Sequence, residues 1–407
     1  MSSEAGFTIE RRHVPGEQQA ASGEGIVSEV VISVLTAQML VLIYLQKFSI
    51  NISEDFQVSI PLIFAFASLA WLGSRQAIRF EPKRVVLYCV LVASTALSQS
   101  LGTLRISYSS IFLLILLYAT FTLNWRAGAD QIARVADRFS ILMIGPAILV
   151  LVQFAYELYF GAGNSLSLER YVPRSLLLGG YVYESSTESW VTWNRPNGLI
   201  FLEPSFCSAF LACAAINELQ LARRYFRGAL FLVSLLATAG ATGFVMLAIA
   251  APVIAVQKKP VWMIFAGLLG LFGVISVLAI RPDVLEASRW AEMSDPSSSG
   301  YGRLFLPIET LMSLLLDPRF LISGYGAGQL TAELASAWPI TKLSYEYGVA
   351  TAAAYFAFCI VSMYGSSNVA LRLAFFMVFQ FTGGYLLSPF LVLLIFIMCT
   401  ALTPAES

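Results

Sequence analysis

Apolar windows long enough to cross a bilayer recur along this chain, separated by short polar breaks. A helix needs about 20 residues to traverse roughly 30 Å of hydrocarbon, so windows of about 15 to 22 apolar residues are counted as spans. They fall near 27–46, 57–73, 85–100, 106–125, 139–160, 204–221, 228–240, 243–257, 260–280, 343–363, 368–383 and 387–402. The pattern predicts an all-α, polytopic integral membrane protein with about twelve transmembrane helices. The pair flanking Thr238-Ala-Gly-Ala-Thr-Gly243 reads equally as two spans or as one broken or re-entrant segment.

The polar breaks set an orientation. One set of short loops carries Arg75, Arg79, Lys83 and Arg84, then Arg126, Arg134 and Arg138, then Arg223, Arg224 and Arg227, then Lys258 and Lys259. The other short loops carry only Lys47 and Arg105. That asymmetry is the positive-inside pattern, and it predicts cytoplasmic N- and C-termini. Residues 1–26 read as a flexible cytoplasmic tail, followed by a helical membrane domain over 27–402. Two long connections, 161–203 and 281–342, fall on the outer side as large periplasmic loops. Long loops in compact proteins concentrate function.

Composition agrees with that class and narrows the chemistry. The chain is 57% hydrophobic and 12% charged, with a formal net charge of zero. Its one histidine, His13, lies in the tail. No basic face is present to displace counterions from a nucleic acid. The cysteines Cys89, Cys207, Cys213, Cys359 and Cys399 all lie in apolar stretches without C-x-x-C or zinc spacing, so they read as buried thiols. There is no D-x-D, no H-E-x-x-H and no G-x-x-x-x-G-K-[ST] pattern, so the sequence implies no metal and no cofactor. A reaction at the outer face must then use a donor already activated.

Candidate residues cluster where the outer loops meet the spans. In Arg195-Pro-Asn-Gly-Leu-Ile-Phe-Leu-Glu-Pro-Ser205, an arginine and a carboxylate bracket the entry to an apolar segment. One reading makes Glu203 a helix start, with an acid at the positive end of the dipole and proline in the first turn. The other makes Arg195 and Glu203 one wall of a polar site, with Asn197 beside them. The second loop holds Ser299-Gly-Tyr301-Gly-Arg303 and the run Gly324-Tyr325-Gly326-Ala-Gly328. Alternate glycines can turn successive N–H groups toward an anion, or can simply make a flexible turn. Arg303 reads alternatively as a solvated loop cation. Lys342-Leu-Ser-Tyr-Glu346 opens the next span; Lys342 and Tyr345 suit interfacial anchoring, whereas Glu346 has less reason to sit at that depth. Tyr181, Tyr183, Trp190, Trp193 and Trp338 read as interface aromatics with an option on sugar stacking.

Taken in order, R-P-N-G-x-x-x-x-E-P-S, A-T-A-G-A-T-G, G-Y-G-R, S-G-Y-G-A-G and K-L-S-Y-E-Y-G resemble the polysaccharide polymerase (Wzy-type) and O-antigen ligase superfamily over residues 195 to about 350. The resemblance implies a metal-independent, inverting glycosyltransferase of the bacterial inner membrane with its site facing the periplasm. Its substrate would be an undecaprenyl-diphosphate-linked oligosaccharide, and its medium the lipid bilayer. It leaves room for a chain-length regulator and a flippase as partners. By resemblance Arg195 and Arg303 would grip the diphosphate, and Glu203 or Glu346 would orient or deprotonate the acceptor hydroxyl. Asn197, Tyr301, Gly324, Tyr325, Gly326 and Lys342 would contact substrate. Glu54 and Asp55, outside the first span, are lesser candidates for the base. The ligases resemble one another in an outer-loop histidine, and both large loops here lack one, which favours a polymerase over glycan transfer to lipid A core. A flippase or transporter is the reading from another class. Internal repeats and charged mid-span helices would favour it, and the mid-span polar groups Gln38, Gln99 and Gln153 are isolated.

Overall fold

The computed structural model describes residues 16–53, 56–102, 106–161, 166–179, 195–222, 224–258, 299–365 and 368–404. The span expected at 260–280 and residues Glu54, Asp55, Arg105, Tyr181, Tyr183, Trp190 and Trp193 lie outside the described residues. The chain is mostly helical. In order come α1 (Gly16–Tyr44), α2 (Ile60–Ser74), α3 (Pro82–Leu101), α4 (Tyr108–Ala119), α5 (Ala129–Phe160) and α6 (Pro204–Asn217). Then follow α7 (Tyr225–Thr238), α8 (Ala241–Lys258), α9 (Ser299–Leu316), α10 (Pro339–Tyr347), α11 (Val349–Tyr364), α12 (Val369–Phe381) and α13 (Pro389–Ile395). Proline opens α3, α6, α10 and α13, where its missing N–H is no loss and its fixed φ already suits the helix.

The structure departs from the hydropathy pattern at identifiable places. Two short ribbons add to the helices: β1 (Ser49–Ser53) pairs antiparallel with β2 (Phe56–Ser59), and β3 (Trp125–Ala127) pairs in parallel with β4 (Leu402–Pro404). Helix α5 begins at Ala129, well before its apolar stretch, because Gly128 N donates to Gln131 Oε1 and the charges of the first turns find partners on other helices. Helix α9 forms inside the expected loop 281–342. The single span expected at 343–363 is broken at Gly348, whose φ of +85° admits no ordinary side chain without strain. The stretch 387–402 becomes α13, a π-turn over Phe396–Thr400 and then β4.

Among the described residues, only α3 and α5 are long and apolar enough to cross a membrane; the other apolar helices run 10–17 residues. The described helices therefore do not by themselves make up about twelve full-length spans. Both long helices keep an apolar outer stripe: Val86, Val90 and Leu97 on α3 and Ile141, Ile148 and Val152 on α5 are exposed. Aligned exposed aliphatic stripes suit hydrocarbon as the surrounding medium.

Side-chain and ribbon contacts sort the helix ends into two sets. At one end, Arg84 Nη1 donates to the carbonyls of Leu123 (3.2 Å) and Thr400 (2.8 Å), beside the β3–β4 ribbon. Asp137 and Arg227 join α5 to α7 on this arginine-rich side. At the other end, Lys47, just beyond α1, binds Glu169 at 2.6 Å and ties the first long loop to the helices. The candidate residues gather here.

Candidate functional site

The Arg195–Ser205 segment is held by two buried glutamines. Gln153, 0% exposed on α5, accepts from Asn197 N (3.1 Å) and Gly198 N (2.9 Å) and donates to Leu166 O (2.9 Å). Gln46 accepts from Leu202 N at 3.1 Å. Asn197 is buried and turned inward: its Nδ2 donates to Phe201 O, and its Oδ1 accepts from Leu199 N. Asn197 therefore shapes the turn, while Arg195 is half-buried at its edge. The Gly198-Leu199 pair runs at φ +63° and +66°, so the R-P-N-G motif is a constrained left-handed turn against α5. The Gly198 backbone lies so close to Pro146 O and Val150 that a Cβ there would crowd both.

Glu203 occupies the N-cap position of α6, with extended backbone and Pro204 behind it, as a helix start requires. Its carboxylate makes no capping bond to the helix backbone. It is exposed and accepts instead from Ser205 Oγ at 2.9 Å. Backbone and side chain thus have separate roles, and the carboxylate is left at the surface.

Tyr385 brings this carboxylate together with the second loop. It lies in the turn between α12 and α13, its ring 5.9 Å from that of Phe206, and its hydroxyl is 3.3 Å from Thr242 Oγ1. Burial pushes the phenol's pKa up; the Thr242 hydrogen bond, the positive charge of Arg303 and the Ser205 hydrogen bond pull it down, and the negative charge of Glu203 pushes it up. The charges of Arg303 and Glu203 therefore act on one phenol with opposite sign. Arg303 itself is exposed on α9, and Trp338 Nε1 donates to its carbonyl at 2.7 Å. Tyr301, two residues earlier on the same helix, donates to Glu309 Oε2 at 2.7 Å. The A-T-A-G-A-T-G motif makes the approach possible: a Cβ on Gly240 would meet Ser208 Cβ at 2.4 Å, and one on Gly243 would meet Ser208 O at 2.4 Å. The turn between α7 and α8 therefore lies directly on the first turns of α6.

The glycine run sits on the end of α10. Tyr325 N donates to Tyr345 O (2.7 Å) and Gly326 N to Glu346 O (3.0 Å), while Gln99 bridges Ala327 N and Glu346 O. Gly324 has no room for a Cβ, which would fall 2.3 Å from Glu346 C. Tyr325 is stacked between Phe320 and Tyr345 at 4.6 and 4.4 Å. The backbone N–H groups of Gly328, Gln329 and Leu330 do turn toward an anion, and that anion is the chain's own Glu346 carboxylate, with Gly328 N 2.6 Å from Oε1. Glu346, only 2% exposed, lies outside the apolar helix α11; burial raises its pKa to about 7 against the pull of those N–H groups and of Lys342. Burial lowers Lys342 to about 8, opposed by Glu346. Lys342 Nζ donates to Ala335 O (2.6 Å) and lies 3.4 Å from Gly384 O, which places it next to Tyr385 in sequence.

The turn 383–385 is thus where the pieces meet. Glu203 and Arg303 act on Tyr385 through their charges, and Lys342 reaches Gly384 O. Arg195 stands half-buried at the edge of the R-P-N-G turn. The sequence marks Gln153 only as an isolated mid-span polar group, which its bonds to Leu166, Asn197 and Gly198 correct, and it gives no signal for Tyr385 or Gln46. Beside the glycine run, Ser107 N donates to Ala327 O, and Ser109 and Ser110 stand at the mouth of an apolar cleft of about 650 Å³. The cleft is walled by Leu62, Phe66, Phe112, Leu116 and Phe390, from α2, α4 and α13.

Compared with known proteins, residues 31–342 match the family described as WcaD colanic acid polymerase. No curated protein and no solved structure matches the chain.

Proposed function

Because the chain belongs to the WcaD colanic acid polymerase family, we propose that it is a membrane-embedded polysaccharide polymerase working at the 383–385 turn. Its substrates on this reading are oligosaccharide repeats carried on a polyprenyl diphosphate, joined on the periplasmic side of the bacterial inner membrane. What supports the reading is the 383–385 turn, where the Tyr385 phenol feels the charges of Arg303 and Glu203 and Gly384 O lies 3.4 Å from Lys342 Nζ. The apolar cleft that starts at Ser109 and Ser110 offers a lipid chain a path out of that region.

The reaction is an inverting displacement. Glu203 takes the proton of the acceptor hydroxyl, the hydroxyl oxygen attacks the anomeric carbon, and the bond from that carbon to the diphosphate oxygen breaks. The lipid diphosphate leaves with the bonding electrons, and Arg303, assisted by Arg195, stabilises the charge it gains. Glu203 suits the base because its carboxylate is exposed and free of backbone capping, whereas Glu346 is enclosed by N–H groups and suits positioning of the glycine run. Asn197, Gly324 and Gly326 serve the shape of the site; Tyr301 and Tyr325 offer aromatic faces at its edge.

The test is chain growth on a lipid-linked repeat unit by the purified protein in detergent, read as a glycan ladder. Glu203→Gln and Arg303→Ala are each expected to lower the rate by 10²-fold or more, the usual scale for a catalytic base or an oxyanion-stabilising group. Undiminished growth by an Arg195→Ala, Arg303→Ala double variant rules the mechanism out.

A further inference from the structure

The end of α6 remote from Glu203 holds a second polar recess. A space of about 230 Å³ is lined by Arg134, Asp137 and Ser140 of α5, Asn217 at the end of α6, and Arg224 just before α7. Asn217 is 1% exposed. Its Oδ1 accepts from Asn368 Nδ2 at 3.2 Å. The Oδ1 of Asn368 is itself engaged by Leu371 N at 2.9 Å, so Asn368 has only its NH₂ to offer and the orientation of Asn217 is set. Asn217 Nδ2 is left as a buried donor with no acceptor. Ser140, also 1% exposed, lines the same recess with its Oγ unpartnered.

Buried donors without acceptors are costly, and their usual explanation is a ligand or water that the fold is built to receive. Two further observations say what kind. Directly after Asn217 the chain widens into a π-helix over Glu218–Ala222, a distortion concentrated at functional sites. The lining carries two arginines, Arg134 and Arg224, against one carboxylate, Asp137, which Arg227 also binds; Arg227 lies 2.7 Å from the buried Glu218 as well. Arg224 is exposed and meets Asp137 through one nitrogen at 3.4 Å, leaving most of its fork open. Arg134, paired with Glu29, is half-exposed on the opposite side.

We propose that this recess binds a phosphate-bearing anion. Asn217 Nδ2 and Ser140 Oγ donate to its oxygens from inside, and Arg224 and Arg134 close over it from the rim. Asp137 lies in the same wall, with its charge balanced by Arg227 and Arg224. The site is at the other end of α6 from the proposed polymerase site, and does not depend on that assignment. A phosphate group here can come from the headgroup of an anionic lipid or from a soluble phosphate.

Thermal unfolding of the full-length protein in detergent tests this, titrated with inorganic phosphate, short-chain phosphatidylglycerol or short-chain phosphatidylcholine at matched ionic strength. A saturable rise in Tm is expected with phosphatidylglycerol and not with phosphatidylcholine. A response to inorganic phosphate as well assigns a soluble ligand; a response to phosphatidylglycerol alone assigns the lipid. Arg224→Gln, at an exposed position, and the double variant with Ser140→Ala are expected to weaken the response about tenfold, the scale of one lost charge-assisted hydrogen bond. Equal shifts from both lipids, no saturable shift from phosphatidylglycerol or phosphate, or an undiminished shift in the folded variants overturns the proposal.

Discussion

Gln153 shows how much a single buried polar side chain can organise. Three backbone groups from the two ends of the 161–203 loop depend on it, and a leucine of similar size would leave two N–H groups and a carbonyl unsatisfied. Each such group costs about 1–3 kcal/mol, so Gln153→Leu is expected to destabilise the protein by about 3 kcal/mol or more, measured by thermal unfolding in detergent. Glu346 makes a different prediction. Its folded pKa of about 7 stands above the ordinary 4.5, so the folded state holds the proton longer and stability falls as pH rises through that interval. Lys342 works in the opposite sense: its pKa falls from 10.5 to about 8, the unfolded state binds more protons, and stability rises with pH between those values. Tm should pass through a shallow minimum near pH 7 to 8. Glu346→Gln should abolish the falling limb and leave the rising one. None of these residues announced its partners in the sequence, because the partners of Gln153 and Glu346 come from distant loops.

At the scale of elements, close approach decides the architecture. The Gly240 and Gly243 positions let α8 follow α7 directly and press on α6, so Thr238–Gly243 is a tight turn between two helices, an arrangement open to two spans and to a re-entrant pair alike. Gly240→Ala forces a Cβ to within 2.4 Å of Ser208 Cβ. Overpacking of this kind costs about 1–3 kcal/mol, and the first turn of α6 carrying Glu203 would be displaced with it. The expected outcome is a lower Tm together with a larger relative loss in chain growth; unchanged growth at normal Tm would show the contact to be dispensable. The same scale explains why hydropathy misplaced boundaries. Helix α5 extends ten residues beyond its apolar window because Arg134 and Asp137 are paired across helices, and a window average counts those charges against a span.

For the whole molecule, the prediction from the positive-inside pattern is that the two sets of helix ends face opposite compartments. The arginine-rich end, with Arg84, Arg126 and Arg227, is expected in the cytoplasm, and the 383–385 turn outside. Cysteines introduced at the exposed Glu333 and Arg126 in a background lacking Cys89 test this with a membrane-impermeant maleimide in intact cells. Glu333→Cys should label at once and Arg126→Cys only after permeabilisation; the reverse pattern would invert the topology and the periplasmic assignment with it.

Hydrophobic pattern carried the membrane-protein reading and several helix positions, and Pro204 marked the start of α6, because apolar length and local backbone geometry are properties of contiguous residues. It also picked out Glu203, Arg303, Lys342 and Glu346 as charges that had no cheap place beside an apolar segment. Only the tertiary structure decided what those charges face. Which anion fills the glycine nest, and that Tyr385 feels the charges of both Glu203 and Arg303, depend on contacts between segments far apart in the chain. Such contacts follow from how the helices pack, and no periodicity within one helix encodes them.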